Sequence, residues 1–285
     1  MTFPLKQLDI RDFPLSLREL PEPPKQLWVR GTLPSPQLKK LAVVGSRKMT
    51  SYGKACCESL IAPLRGYPIT IISGLALGID ATAHSAGLAA GLHTMAVPGS
   101  GIDDSVLYPR TNYSLAQKIL HAGGCLFSEF EPTFKATEWS FPRRNRIMVG
   151  LADAVLVIEA GEKSGTLITA RLTAEYNKDL LVVPGSIFSE NSKGVHQFLK
   201  LGATPVTEYT DILEALHLDV EEKRGVENLQ LSPDERHVYE ALTDRLTKEE
   251  LTERTRLTPQ KINIILTQLA LKSVIIESGG YIRKT

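Results

Sequence analysis

The sequence predicts a doubly wound parallel α/β sheet followed by a small winged-helix domain. Three observations predict this. Short, continuously apolar, β-branched runs recur between residues 41 and 183, as suits strands buried on both faces. Each run closes on glycine, serine or proline-glycine, and helix-length stretches lie between the runs. Beyond residue 231 this rhythm gives way to two capping boxes, a third amphipathic stretch and a glycine-centred hairpin.

Taken in order, residues 1–40 are rich in proline. Pro21, Pro23 and Pro24 forbid a continuous helix, so the segment reads as an extended strap packed on the main domain, with Trp28 and Leu33 as anchors. Strands are expected at 41–44, 69–72, 94–97, 153–158 and 180–183. They end in Gly45, Ser73-Gly74, Pro98-Gly99, Ala160-Gly161 and Pro184-Gly185, with helices expected near 53–64, 78–91, 112–122 and 166–177. The main domain therefore spans 41–217. Residues 218–231 are charged and lack this rhythm, which marks a linker. In 232–285, Ser232–Glu235 and Thr247–Glu250 open two helices, the first with Pro233 at its leading position. Thr258-Pro259 opens a third, with Ile262, Ile265, Leu266 and Leu269 on one face, and the hairpin turns at Gly279-Gly280.

Composition narrows the function. Hydrophobic residues make up 42% and charged residues 23%, an ordinary globular balance. Lys plus Arg is 33 against 32 Asp plus Glu, so a nucleic-acid site must be a local patch and not a whole-molecule field. Residues 217–285 carry 11 basic and 12 acidic side chains, unusual for a domain that grips DNA tightly. No apolar run reaches the roughly 18 residues of a membrane span, and the N-terminus lacks signal-peptide order. Cys56, Cys57 and Cys125 show neither disulfide nor zinc spacing, so a cytoplasmic protein without a metal is expected.

The glycine turns at the strand ends carry the candidate chemistry. Gly45-Ser46-Arg47 is neither a dinucleotide fingerprint nor a P-loop, but its small residues and planar cation suit an anion as well as a plain turn. Arg143, Arg144 and Arg146, with Asn145 among them, lie in a stretch with no carboxylate between Glu138 and Asp153. An oxygen-rich anion or a solvated basic face would account for them. Lys163, Ser164, Gly165 and Thr166 precede a helix and resemble an anion nest or an ordinary capped start. Ser100-Gly101 is a weaker member of the same set. Asp80 and His84 share a helix face, which suits a loop-orienting hydrogen bond or a catalytic pair.

Together these blocks resemble the DNA processing protein A (DprA/Smf) family of bacterial recombination mediators. The resemblance runs from about Phe13 to the C-terminus through FPLSLRELPEPPKQLWVRG, VVGSRKMTSYG, ISGLALGIDATAH, AVPGSGID with LYPRTN, FPRRNRI, SGTLITA and VVPG. It implies an extended Rossmann-like domain that binds single-stranded DNA, dimerises and loads the RecA recombinase during natural transformation. It also places DNA contacts at Arg47, at Arg144 and Asn145 with Arg143 and Arg146 alongside, and at Ser164, Gly165 and Thr166. No enzymatic activity and no cofactor are implied. A phosphoribohydrolase-like enzyme is the alternative, but no PGG precedes Ser164 and the first acid after Thr166 is Glu175. A winged-helix regulator is the other. Arg47 and Arg144 are expected in strand-end loops, where replacement by alanine would weaken binding without unfolding the chain. The apolar residues Phe198, Leu199, Leu201, Ile212, Leu213 and Leu216 are expected to exceed what the fold needs and to serve a homodimer.

Overall fold

The apolar runs form the centre of a nine-stranded sheet. The computed structural model describes residues 3–162, 164–219, 232–242, 245–271, 274–278 and 280–284, so most of the expected linker, Lys163 and Gly279 lie outside the described residues. The chain divides into two units, Met1–Asp219 and Val220–Thr285. In the first, the elements run β1 (Leu5–Gln7), α1 (Leu15–Arg18), β2 (Trp28–Gly31), β3 (Lys39–Val44), α2 (Ser51–Ile61), β4 (Ile69–Ser73), α3 (Ile79–Ala89) and β5 (His93–Ala96). They continue with α4 (Tyr113–His121), β6 (Cys125–Ser128), α5 (Ser140–Leu151), β7 (Ala154–Val157), α6 (Thr166–Glu175), β8 (Asp179–Val182), α7 (Lys193–Lys200), β9 (Thr204–Pro205) and α8 (Tyr209–Ala215).

The sheet order is β1-β2-β6-β5-β4-β3-β7-β8-β9. Neighbours from β6 to β9 are parallel, whereas β2 pairs antiparallel with β6 and β1 with β2. This is a Rossmann-like, doubly wound sheet. The chain builds outward from β3 to β6, then crosses back to β7 on the other side of β3. The carboxyl ends of β3 and β7 therefore flank a switch point, where such sheets open a crevice. Along β3 the pleat sends Ala42 and Val44 to one buried cluster, with Ile147, Met148 and Val149 of α5. Leu41 and Val43 point to the opposite cluster, with Leu60 and Ile61 of α2 and Ile79 and Ala83 of α3.

Residues 1–40 do more than strap the domain. Two of their segments extend the sheet as β1 and β2, and Leu17 and Leu20 pack on Gly150 of α5. The apolar residues expected to serve a dimer are mostly used internally: Phe198 of α7 joins one core cluster, while Ile212, Leu213 and Leu216, in and just after α8, join the other. Of that set, Leu201 stands out at 81% exposed. The correction has a simple cause. Two helices covering opposite faces of the last strands each need their own apolar stripe.

The second unit contains α9 (Pro233–Ala241), α10 (Lys248–Thr255), α11 (Pro259–Leu271), β10 (Ile275–Ser278) and β11 (Tyr281–Lys284). Both capping boxes form, at Ser232 with Glu235 and at Thr247 with Glu250. Val238, Leu251, Ile262, Ile265, Leu266 and Leu269 meet Ile275 and Ile282 of the hairpin in one core. Leu246 bridges Ile282, adding a third short edge to the hairpin, as in a winged helix.

Candidate nucleic-acid interface

A cleft of about 900 Å³ opens at the switch point. The turn after β3 contributes Gly45, Ser46, Arg47 and Lys48. The loop before α6 contributes Gly161, Ser164, Gly165 and Thr166. Ala76 and Asp80 enter from the β4–α3 side, and Glu138, Phe141, Pro142, Arg144 and Asn145 from α5 and the segment before it. Three cations thus face two carboxylates across this lining, with hydroxyls and helix-start backbone between them. Such a surface suits phosphate oxygens and carries little that would distinguish one base from another.

Each wall has a local cause. Thr166 Oγ1 donates to Gly45 O (3.1 Å) and lies 3.0 Å from Ser164 Oγ, which ties the start of α6 to the end of β3. The space above Gly165 is open, since a Cβ there would meet nothing within 4 Å. Arg47 is exposed, with its guanidinium 4.9 Å from the centre of the Phe141 ring. The helix start that a dinucleotide fold would offer to phosphate is α2, and an internal carboxylate already occupies it. Buried Glu159, two residues beyond β7, accepts from Thr50 N (2.9 Å) and Thr50 Oγ1 (2.5 Å). The cleft instead opens on the α6 side of the switch point.

The arginine run is an α-helix and not a loop, which corrects the expectation from sequence. Arg144 is only 5% exposed. It donates to Val97 O and to Asn145 Oδ1 (3.1 Å). Its guanidinium lies directly on Gly74, where a Cβ would overlap it. Asp80 accepts from Gly74 N (3.1 Å) and Ala76 N (3.4 Å), so it orients this loop, while burial lowers the His84 imidazole to about 3. Burial pushes Arg144 down to about 10, with Asp80 opposing and Arg47 reinforcing the shift. Burial likewise raises Asp80 above the ordinary carboxylate value, and Arg144 is the strongest influence holding it down.

Arg143 and Arg146 do not line the cleft. They turn from it to Glu129, one residue past β6, whose Oε2 accepts from Arg143 Nε (3.2 Å) and from Arg146 Nη2. Arg146 also donates to Glu22 O in the N-terminal segment. The absence of a nearby carboxylate in sequence was therefore misleading, because the partners arrive through the fold. Ser100 and Gly101 are likewise structural: Ser100 O accepts from Ser128 Oγ (3.0 Å) and Gly101 N donates to Phe134 O (2.8 Å). Of the expected set, the cleft gathers Gly45, Ser46, Arg47, Arg144, Asn145, Ser164, Gly165 and Thr166. Lys163 lies outside the described residues. Sequence reading did not select Lys48 or Glu138 for the site. Their place in the GSRK turn and just before the arginine run was the available signal.

A mostly parallel α/β sheet that closes its usual phosphate turn and opens a cleft lined by three cations beside it defines a Rossmann-like protein. Residues 6–217 match the family model described as DNA recombination-mediator protein A. The chain belongs to that family. It is 37% identical to Protein Smf of Escherichia coli over 289 residues, covering 96% of this chain and 76% of that protein. It is 39% identical to DNA processing protein DprA of Streptococcus pneumoniae over 201 residues, 70% of each chain. The X-ray structure of DprA from S. pneumoniae superposes with a TM-score of 0.68 at 37% identity, covering 74% of each chain. DNA processing protein A from Helicobacter pylori, described for its single-stranded DNA binding mode, superposes with a TM-score of 0.66 at 30% identity. That match covers 75% of this chain and 96% of the other.

Proposed function

We propose that this protein is a non-enzymatic mediator that holds single-stranded DNA without reading its sequence. In this reading it protects incoming DNA and loads RecA during natural transformation, acting as a cytoplasmic homodimer. The observation that carries the reading is the switch-point cleft, where exposed Arg47 and Lys48 share one lining with Arg144 and the Ser164–Thr166 turn. Family membership and the single-stranded DNA described for the H. pylori relative support it. No described helix is long and apolar enough to cross a membrane.

A titration series with a labelled single strand, a duplex of the same sequence and a mononucleotide tests this. The single strand is expected to bind most tightly, with a log–log salt slope of about −2, at roughly 0.7 per phosphate for the three cations of the cleft. Preference for one duplex sequence, or turnover of the mononucleotide, would replace the mediator reading with a regulator or an enzyme.

A further inference from the structure

The cleft wall continues outward along a row of rings. Phe141 lies against the β5–α4 connection so closely that a Cβ on Gly99 would sit 2.5 Å from its Cδ1. Ser140 Oγ donates to Gly99 O (2.6 Å) and fixes the same turn. The Arg47 guanidinium lies over the Phe141 ring, and Tyr108 packs on that ring with centroids 5.8 Å apart and planes tilted 49°. Tyr108 is 50% exposed. A guanidinium, a held phenyl ring and a half-open phenol therefore run from the anion cleft to the surface.

We propose that Tyr108, backed by Phe141, is a base-stacking subsite for the nucleotide adjoining the phosphate held in the cleft. The proposal rests on the single-strand reading above. An occupant of this row must carry an anion at one end and a flat π face at the other, and an unpaired nucleotide carries both. A duplex keeps its faces inside its own stack. Stacking on a phenol is tolerant of base identity, because every base has a π face, which agrees with a cleft poor in base-reading groups. Trp139 is as exposed, at 53%, but serves differently. It packs edge-on against Phe130 and Phe134, and Arg143 lies 5.9 Å over its ring, so it completes a local cluster.

The test uses the full chain and two labelled strands of equal length, oligothymidylate and an abasic phosphodiester. Tyr108→Ala and Tyr108→Leu are expected to lose about tenfold in affinity for oligothymidylate while binding the abasic strand as the wild type does. Tyr108→Phe retains affinity within about twofold, because the ring remains. Undiminished binding of oligothymidylate by the alanine and leucine variants would overturn the subsite, as would equal losses on both strands. Wild-type protein that binds neither strand would instead remove the single-strand reading, and the subsite with it.

Discussion

Glu129→Ala lowers the stability of the large unit by about 3–5 kcal/mol, the cost typical of leaving a buried charge without its partner. Glu129 and Arg146 are 3% and 9% exposed at their side chains, and removing the carboxylate leaves Arg146 with the Glu22 carbonyl as its remaining described acceptor. Arg143 contributes little to the loss, since half of its side chain is in water and screening weakens that pair. Denaturant unfolding measures the effect as a lowered midpoint at unchanged slope. The double variant Glu129→Ala/Arg146→Met recovers most of the loss, because an apolar pair restores packing without an unpaired charge. A single-variant loss below about 1 kcal/mol would show that the pair behaves as a solvated one.

Arg144→Ala has the second largest effect, and it falls on stability and binding together. The substitution deprives the Val97 carbonyl of a donor and Asp80 of its strongest balancing cation, a combined cost of about 2–4 kcal/mol. It also removes a wall of the cleft, so affinity for single strands drops by more than about tenfold in the protein that remains folded. The stability deficit is greatest near neutral pH. Without Arg144 the Asp80 carboxyl rises further, and a group raised by folding favours the native state at low pH and loses that contribution as pH rises through its folded value. The deficit therefore shrinks on acidification. Unfolding curves at neutral and mildly acidic pH check the sign, and a deficit that grew with acid would contradict the coupling to Asp80.

The sequence made the central strands readable because burial on both faces leaves an unmistakable mark: Leu41–Val44, Ile69–Ile72 and Ala154–Val157 admit no charge. The antiparallel edge was not readable. β1 and β2 are three and four residues long, and LKQ and WVRG show no alternation to separate them from a strap. β6, with the sequence CLFS, is equally short. Helix α5 was hidden by its own chemistry, since FPRRNRI offers no apolar stripe to a reader who assumes that arginines face water. The burial of Arg146 depends on Glu129, 17 residues upstream, and that of Arg144 on Asp80 of a different strand–helix unit. Local sequence therefore pointed to the turns after β3 and before α6, which the fold brings to one cleft, but could not divide the arginine cluster. One of the three faces the cleft and two brace the fold behind it.

The most direct test of the switch-point cleft is Arg47→Ala, measured for single-strand affinity across a salt series and for melting temperature. Arg47 is exposed and its described partner is a ring face, so the melting temperature should stay at the wild-type value. Affinity should fall more than about tenfold, and the salt slope should lose roughly 0.7 for the phosphate no longer neutralised. A folded variant that keeps both the affinity and the slope of the wild type would place the strand elsewhere on the molecule and contradict the cleft as its binding site.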